Sequence, residues 1–300
     1  MVWEWNYPNP VHWNAYFTND GGATWHFDDY KNGDARMYAP DGGSLFMLIV
    51  GVDAYGVEIT HRSNAVRPDD ALPPPDLSPG LVAHFSLDEL SGNRVDDGID
   101  GYELESINGA TATAPGIIGS ALSFNGSGNY LRSIDETDMF GPTTDGFAVS
   151  VWANFDNVVD PGENAYPVSL WDDTLWPSGS AWQIYVTPAD GGVSAQVLGD
   201  VGGFAGLYGS GTVSGWVHIC LVFDPVEVLW SLYFNGAVVA TAECDYTVVA
   251  GRLGVGLHTN PTTPPPDCMI DEIAIWSRKL SATEVGRLYN NGSGLPYANY

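Results

Sequence analysis

Acidic side chains are the first candidates for chemistry in this chain. Hydrolysis of a glycosidic bond needs two carboxylates on one side of the substrate, and on a β-strand these would stand at alternate positions. The closest acidic run, Ile134-Asp-Glu-Thr-Asp138, has the wrong spacing and leads into a loop. Asp271 and Glu272 are adjacent, so we expect them to point to opposite faces of a strand. The six histidines form no HExxH zinc motif, and no nucleophile elbow occurs. We therefore expect the protein not to be an enzyme.

Tryptophans suggest a ligand-binding loop. A tryptophan ring offers a flat apolar face to a sugar, and the neighbouring Asp172 and Asp173 offer hydrogen-bond acceptors. Trp176 precedes a proline and is the ring that we expect to be most exposed. Trp182 begins an alternating strand and is expected in the core. We take Trp171, Asp172, Asp173 and Trp176 as the candidate ligand-binding residues, with burial in the core as the alternative for Trp171.

The charge balance excludes several partners. The chain has 10 Lys and Arg against 37 Asp and Glu, a formal net charge of −27 at pH 7. Such a field repels nucleic acid and anionic lipid, so neither is an expected partner. It suits divalent cations, and it suits plain solubility equally well. No apolar run approaches the ~20 residues of a membrane-spanning helix, and Met1-Val-Trp-Glu-Trp5 does not resemble a signal peptide.

The three cysteines do not form a disulfide framework. Their number is odd, their spacing is wide, and no CxxC pair suggests zinc. Cys220 lies in an apolar run and is expected to be a small buried residue. A Cys244–Cys268 bridge remains open.

A proline-rich segment divides the chain. We predict a small module over residues 1–67, a semi-rigid linker over 68–79 and a large module over 80–300. In the large module, short strand patterns recur between turn residues, and Asn235-Gly236 predicts a tight hairpin. The predicted strands are Leu81–Leu87, Ala121–Phe124, Tyr130–Ser133, Phe147–Phe155, Trp182–Thr187, Val193–Leu198, Gly215–Phe223, Leu229–Phe234, Ala237–Ala242, Gly251–Leu257 and Met269–Trp276. One helix is expected, because Ser281 and Glu284 form a capping box before an apolar face of Leu280, Val285, Leu288 and Tyr289. The fold class is therefore all-β with one C-terminal helix.

The small module resembles the fibronectin type III family. The residues that carry the resemblance are Trp3 and Trp5, the hairpin Thr18-Asn-Asp-Gly-Gly-Ala-Thr-Trp25, and Leu48-Ile-Val-Gly-Val-Asp-Ala-Tyr-Gly-Val-Glu58. The chain begins where the second strand of that family would stand. The resemblance thus implies a small immunoglobulin-like sandwich without its first strand, which a neighbouring chain could supply by β-augmentation.

The large module resembles laminin-G-like jelly-roll domains, relatives of concanavalin. Five segments carry this in order: Gly80-Leu-Val-Ala-His-Phe-Ser-Leu-Asp-Glu89, Gly119-Ser-Ala-Leu-Ser-Phe-Asn-Gly-Ser-Gly-Asn-Tyr130, Phe147-Ala-Val-Ser-Val-Trp152, Gly215-Trp-Val-His-Ile219 with Leu232-Tyr-Phe-Asn-Gly236, and Ile270-Asp-Glu-Ile-Ala-Ile-Trp276 with the helix. The resemblance implies a curved sandwich of about a dozen strands whose first and last strands pair. The family's glycosidases carry Glu-x-Asp-x-x-Glu on one strand, a pattern that does not occur here.

The same resemblance implies a structural calcium ion near the paired terminal strands. Carried over to this sequence, its ligands would be Asp88, Asn125, Gly126 and Asp271. The alternative is that Asp88 and Asp271 cap turns or face water. The acidic loop Asp96-Asp-Gly-Ile-Asp-Gly101 departs from the EF-hand pattern and is expected to be a turn.

Two functions remain open on this evidence. The first is a bacteriophage virion surface protein, a decoration, fibre or tail appendage that serves attachment or adhesion and binds host glycan. Its partners would be other virion proteins or copies of itself, and its location the extracellular virion surface. The second is a pair of carbohydrate-binding modules from a secreted bacterial enzyme that degrades polysaccharide.

Overall fold

The chain divides into two compact units, Met1–Pro75 and Asp76–Tyr300. The computed structural model describes the backbone of residues 12–18, 26–28, 46–52, 58–62 and 75–300, without 126–127, 136, 138–139, 157–164, 172–179, 188–191, 199–203, 212, 246–250 and 258–266. The division falls inside the segment that is rich in proline.

The described strands of the first unit form one antiparallel sheet of four. They are β1 His12–Thr18, β2 His26–Asp28, β3 Phe46–Val52 and β4 Glu58–Arg62, in the spatial order β2-β1-β3-β4. The pairing of β1 with β2 is the hairpin that the sequence pattern predicts. The likeness of this unit to fibronectin type III modules stays a prediction.

Two antiparallel sheets of eight strands each form the second unit. Sheet I consists of β6 Arg94–Val95, β7 Glu103–Ile107, β10 Tyr130–Ser133, β12 Ala165–Trp171, β13 Ser180–Thr187, β14 Gly192–Leu198, β15 Phe204–Ser210 and β19 Arg252–Val255. Sheet II consists of β5 Leu81–Phe85, β8 Thr111–Pro115, β9 Ser120–Ser123, β11 Phe147–Asn154, β16 Trp216–Asp224, β17 Leu229–Phe234, β18 Ala237–Glu243 and β20 Met269–Trp276.

The last strand, β20, is an interior strand of sheet II. The spatial order of sheet I is β15-β14-β13-β12-β19-β10-β7-β6, and that of sheet II is β18-β17-β16-β11-β20-β9-β8. One edge of β20 pairs with β11, while the other edge pairs first with β9 and then with β5. The predicted pairing of the first and last strands of the module is thereby confirmed, as is the all-β fold class.

The main core lies between the two sheets. Every residue of β11 is buried, and inward-facing side chains such as Trp182, Phe147 and Trp230 pack against one another across the sandwich. A second apolar cluster lies on the outer face of sheet II, where Trp276 and Cys220 meet the helix. The central strands of sheet II, β11, β16 and β20, are therefore covered on both faces, as their near-continuous apolar sequences require.

The C-terminal helix, α1 Ala282–Tyr289, has the predicted capping box. The Ser281 hydroxyl accepts from the Glu284 N–H, and the Glu284 carboxylate accepts from the Ser281 N–H. Val285 and Leu288 are buried against sheet II. The helix ends at Asn290 in the left-handed conformation, one residue earlier than the sequence pattern indicates.

Sequence patterns locate most strands of the second unit but miss five. Those missed are β6, β7, β8, β12 and β15. The first three are short, β15 is rich in glycine and other small residues, and β12 contains a proline. The Asn235-Gly236 turn is present, with both residues at positive φ, as a tight hairpin requires. All three cysteines are free thiols, and Cys220 is buried as expected. No helix in the described part of the chain is long and apolar enough to span a membrane.

The packing of the main core predicts a large loss of stability on truncation of Leu221. This side chain is inaccessible to solvent in the middle of sheet II. Leu221→Ala should lower the free energy of unfolding by about 2–5 kcal/mol, because it removes buried methyl groups and leaves a cavity. Urea unfolding measures the loss. Val226→Ala, at an 85% exposed position, is the control and should change stability little. An equal effect of both changes would contradict this assignment of the core.

Candidate functional site

Polar and aromatic side chains occupy the outer face of sheet I at one end. Gln183 on β13 lies opposite Gln196 on β14, and the next outward position on each strand places Tyr185 opposite Ser194, which in turn lies opposite Tyr208 on β15. These five residues, Gln183, Tyr185, Ser194, Gln196 and Tyr208, are called the tyrosine–amide face. The residues between them on each strand point into the core.

Hydrogen bonds connect the tyrosine–amide face. The Gln183 amide donates to the Gln196 carbonyl at 2.6 Å, and the Tyr185 hydroxyl is hydrogen-bonded to the side chains of Ser194 and Tyr208. Burial raises the pKa of Tyr185, so this hydroxyl keeps its proton at neutral pH. These hydrogen bonds restrict the rotamers of the side chains, and such restriction lowers the entropy cost of binding where a ligand contacts them.

A second polar cluster lies where β5 meets β20, on the outer face of sheet II. The His84 imidazole is buried, with Nδ1 2.5 Å from a carboxylate oxygen of Asp97 and Nε2 2.8 Å from one of Glu272. Tyr297 stacks on the imidazole at 4.7 Å between ring centroids, and Tyr300 packs against its edge. These five residues form the histidine–carboxylate cluster.

The charge state of His84 follows from its two partners. Burial works to lower the pKa of His84, but the hydrogen bonds to Asp97 and Glu272 and their negative charges outweigh it and raise the pKa to about 9. The imidazole is thus a cation at neutral pH. His84 and Glu272 are 188 residues apart in the sequence, so this cation connects the start of the module to its end.

A β-bulge in β20 places Asp271 and Glu272 on the same face. Ile270 and Ile273 both point into the core although they are three residues apart, and Glu272 has a φ of 50°. The expectation that the two acids point to opposite faces is therefore wrong, because the strand does not alternate here. Leu87, two residues after the end of β5, also has a positive φ, so one non-glycine residue of the cluster and one near His84 in the chain have left-handed backbone.

Asp88 and Asp271 converge on one turn, residues 116–120. One Asp271 oxygen accepts the N–H groups of Ile117 and Ile118, and Asp88 accepts the N–H of Ser120. Burial raises the pKa of Asp271 to about 8, and the negative charges of Glu272 and Asp88 add to the rise. Burial also raises the pKa of Glu272, against the opposing effect of His84.

Of the four predicted calcium ligands, the structure brings Asp88 and Asp271 together. Asn125 follows β9, where its N–H donates to the Asn129 side chain, and Gly126 lies outside the described residues. In the described residues, no three His, Cys, Asp or Glu side chains are arranged as a metal shell. The acidic loop is a turn, as expected, because the buried Asp96 carboxylate accepts five successive N–H groups from Gly98 onward.

The tryptophan loop is only partly described. Trp171 is the last residue of β12, where its backbone pairs with Arg252 and with Ser180. Asp172, Asp173 and Trp176 lie outside the described residues, so their role stays a prediction. Trp182 is buried as expected, and its indole N–H donates to the Phe140 carbonyl at 2.8 Å.

A family model decides which family the second unit represents. The model of the "Concanavalin A-like lectin/glucanases superfamily" matches residues 125–286, more than half of the chain. The chain belongs to the concanavalin A-like lectin/glucanase superfamily. The membership agrees with the two-sheet jelly roll. Among curated protein sequences, none matches the chain.

Solved structures share the fold of this superfamily member at low sequence identity. The binding domain of Paraclostridial Mosquitocidal Protein 1 is 18% identical, with a TM-score of 0.58 over 72% of this chain and 53% of that one. The Botulinum Neurotoxin Type G receptor binding domain is 14% identical, with a TM-score of 0.53 over 70% and 51%. Trypanosoma rangeli sialidase in complex with 2,3-difluorosialic acid is 13% identical, with a TM-score of 0.52 over 84% and 44%. The chain thus spans about half the length of these structures.

The pKa of His84 predicts that stability falls at alkaline pH. The native pKa of about 9 exceeds the ordinary value of 6.5, so this contribution is complete below pH 6.5 and is lost as the pH rises through 9. His84→Gln should therefore destabilise the protein by on the order of 3 kcal/mol at about pH 6, and by much less at about pH 10. Urea unfolding at both pH values measures the two deficits.

The control for this prediction is Asp245→Asn, which removes a charge from an exposed side chain. Its effect should be small and equal at the two pH values. A deficit for His84→Gln that is as large at alkaline as at acidic pH would contradict the ionic role of His84.

Proposed function

We propose that the protein is a non-catalytic carbohydrate-binding protein whose ligand lies on the tyrosine–amide face. The observation that carries this is the composition of the face: tyrosine rings, amides and hydroxyls in two aligned rows, held by their own hydrogen bonds. Sugars present flat C–H faces and many hydroxyls, so rings and neutral polar groups are complementary to them. Superfamily membership supports the same function at a coarser level.

The solved structures share only the fold with this chain, but the names of two of them agree with a role in binding sugars or receptors. One is a receptor binding domain, and another is a sialidase in complex with a sialic acid derivative. For this chain we propose that it binds a carbohydrate and does not hydrolyse it. In support, Asp271 and Glu272, which share a face of β20, are buried and occupied by backbone N–H groups and by His84.

We further propose that the protein serves attachment or adhesion on the extracellular surface of a bacteriophage virion, beside other virion proteins or copies of itself. The net charge of −27 supports this, because like-charged copies stay soluble at high local concentration. The alternative is a module pair from a secreted polysaccharide-degrading enzyme. Ordered copies of the chain on purified particles would favour the first proposal, and a free polysaccharide-binding monomer absent from particles would favour the second.

A structural calcium ion is part of the proposal. Calcium prefers carboxylate and carbonyl oxygens, and the two predicted ligands that the structure brings to one turn, Asp88 and Asp271, are carboxylates. The negative charges of Glu272 and Asp88 add to the effect of burial in raising the pKa of Asp271, and a bound dication would offset these charges. In the structure, however, both Asp271 oxygens accept backbone N–H groups, so a cation would share the carboxylates with the 116–120 turn.

Calcium should therefore raise thermal stability. With calcium at about 100 times its dissociation constant, the melting temperature should lie about 5 °C above that in EDTA, because the ligand binds only the folded state. Differential scanning calorimetry measures the shift. Asp88→Asn should reduce it, while Asp245→Asn should leave it intact. Equal melting temperatures of the wild type in EDTA and in calcium would remove the ion from the proposal.

Binding to carbohydrate is tested on the intact chain. In gels cast with polysaccharide, the protein should be retarded, and Gln183→Ala with Gln196→Ala should weaken binding by about tenfold for each lost hydrogen bond. Leu90→Ala, at a position 74% exposed outside the face, is the control. If the wild type binds no glycan of a broad array, the proposed function is wrong.

A further inference from the structure

Tyr208 is the exposed member of the tyrosine–amide face. It lies on β15, the edge strand of sheet I, and 68% of the residue is accessible to solvent. The other tyrosine of the face, Tyr185, is buried. A single exposed tyrosine on an edge strand is common in proteins. The orientation of its ring and the groups around it decide whether it can bind a ligand.

The position of the Tyr208 ring depends on Gly206, two residues earlier on the same strand. A Cβ atom at Gly206 would stand 2.4 Å from the Tyr208 hydroxyl oxygen and 2.5 Å from ring carbons Cε2 and Cζ. The ring therefore lies down over Gly206 instead of projecting outward. One face of the ring contacts the strand, and the other face is left open to solvent.

The hydroxyl end of the ring is also held. Tyr208 is hydrogen-bonded to the Tyr185 hydroxyl, and Tyr185 to Ser194. On the neighbouring strand, Gln196 lies directly opposite Gly206, so an amide with donor and acceptor stands beside the open ring face. A flat apolar surface with hydrogen-bonding groups along one side is what the face of a sugar ring requires.

We propose that Tyr208, lying flat over Gly206, is a stacking platform for an uncharged sugar ring, whose hydroxyls are met by Gln196. This rests on the proposed function and names the position and the class of the sugar. The sugar is uncharged because none of the five residues of the face is a cation, and the chain as a whole carries a net charge of −27. A carboxylate-bearing sugar, such as sialic acid, would meet repulsion with nothing on the face to offset it.

The variant Gly206→Ala tests the platform without removing the ring. Its new methyl group displaces Tyr208 from the strand, whereas Gly286→Ala, in the helix with open space around it, is the matched control. Tyr208→Ala removes the ring, and Tyr208→Phe keeps the ring without its hydroxyl. Each variant is titrated by calorimetry with neutral probes, dextran and laminarin, and with anionic probes, alginate and polysialic acid.

The expected result is binding of a neutral probe by the wild type and weakening by about tenfold in Gly206→Ala and Tyr208→Ala. Gly286→Ala should bind as the wild type does, and Tyr208→Phe should keep most of the affinity. The unfolding midpoints of Tyr208→Ala and Tyr208→Phe should stay close to that of the wild type, because Tyr208 is exposed. Gly286→Ala should unfold at a slightly higher midpoint, because alanine is favoured over glycine inside a helix.

Two outcomes would overturn the platform while the proposed function stands. One is binding of a neutral probe that Tyr208→Ala leaves unchanged but the double glutamine variant weakens. The other is tighter binding of an anionic probe than of any neutral one. Absence of binding by the wild type to every probe and to a broad glycan array would overturn both.

Discussion

The second unit depends on the pairing of its first strand with its last. Leu81–Phe85 joins Met269–Trp276 in the middle of sheet II, and the buried His84 is held between Asp97 and Glu272 at that junction. Closing a loop of almost 200 residues costs chain entropy, which local contacts alone do not repay. The His84 cation lies between two carboxylates and is covered by Tyr297 and Tyr300. Because the imidazole is buried, its attraction to the carboxylates is stronger than in water and stabilises the junction.

The same junction explains why carboxylates gather there. The partner of β20 changes from β9 to β5 around Asp271 and Glu272, and a bulge takes up the change of register. The bulge turns both side chains outward, where burial raises the pKa of Asp271 and the negative charge of Glu272 adds to the rise. A bound proton and a bound dication are two ways to reduce the negative charge at this bulge.

Sheet I does not contain the β5–β20 junction, and its outer face is where we propose that a ligand binds. Its outward side chains at the β13–β15 end do not take part in the β5–β20 junction. Their residue types are therefore not constrained by the closure of the fold. Gly206 has no side chain that packs in the core. Because it lacks a Cβ atom, the ring of Tyr208 can lie against the strand at this position. The β5–β20 junction in sheet II closes the second unit, and the β13–β15 end of sheet I carries the rings and amides.

The sequence by itself determined the all-β class, most strands, the helix with its capping box and the Asn235-Gly236 turn. These features are local, because alternation, caps and turns are written in neighbouring residues. The outward positions of Gln183, Tyr185, Ser194 and Gln196 are also visible in the alternation, but their alignment with Tyr208 needed the register of three strands, one of which has too many glycines to be recognised. Only the tertiary structure joined His84 to Glu272, because contacts between distant segments leave no pattern in the chain. It also decided the faces of Asp271 and Glu272, since a bulge shifts alternation by one residue and the reason for it lies in the neighbouring strands.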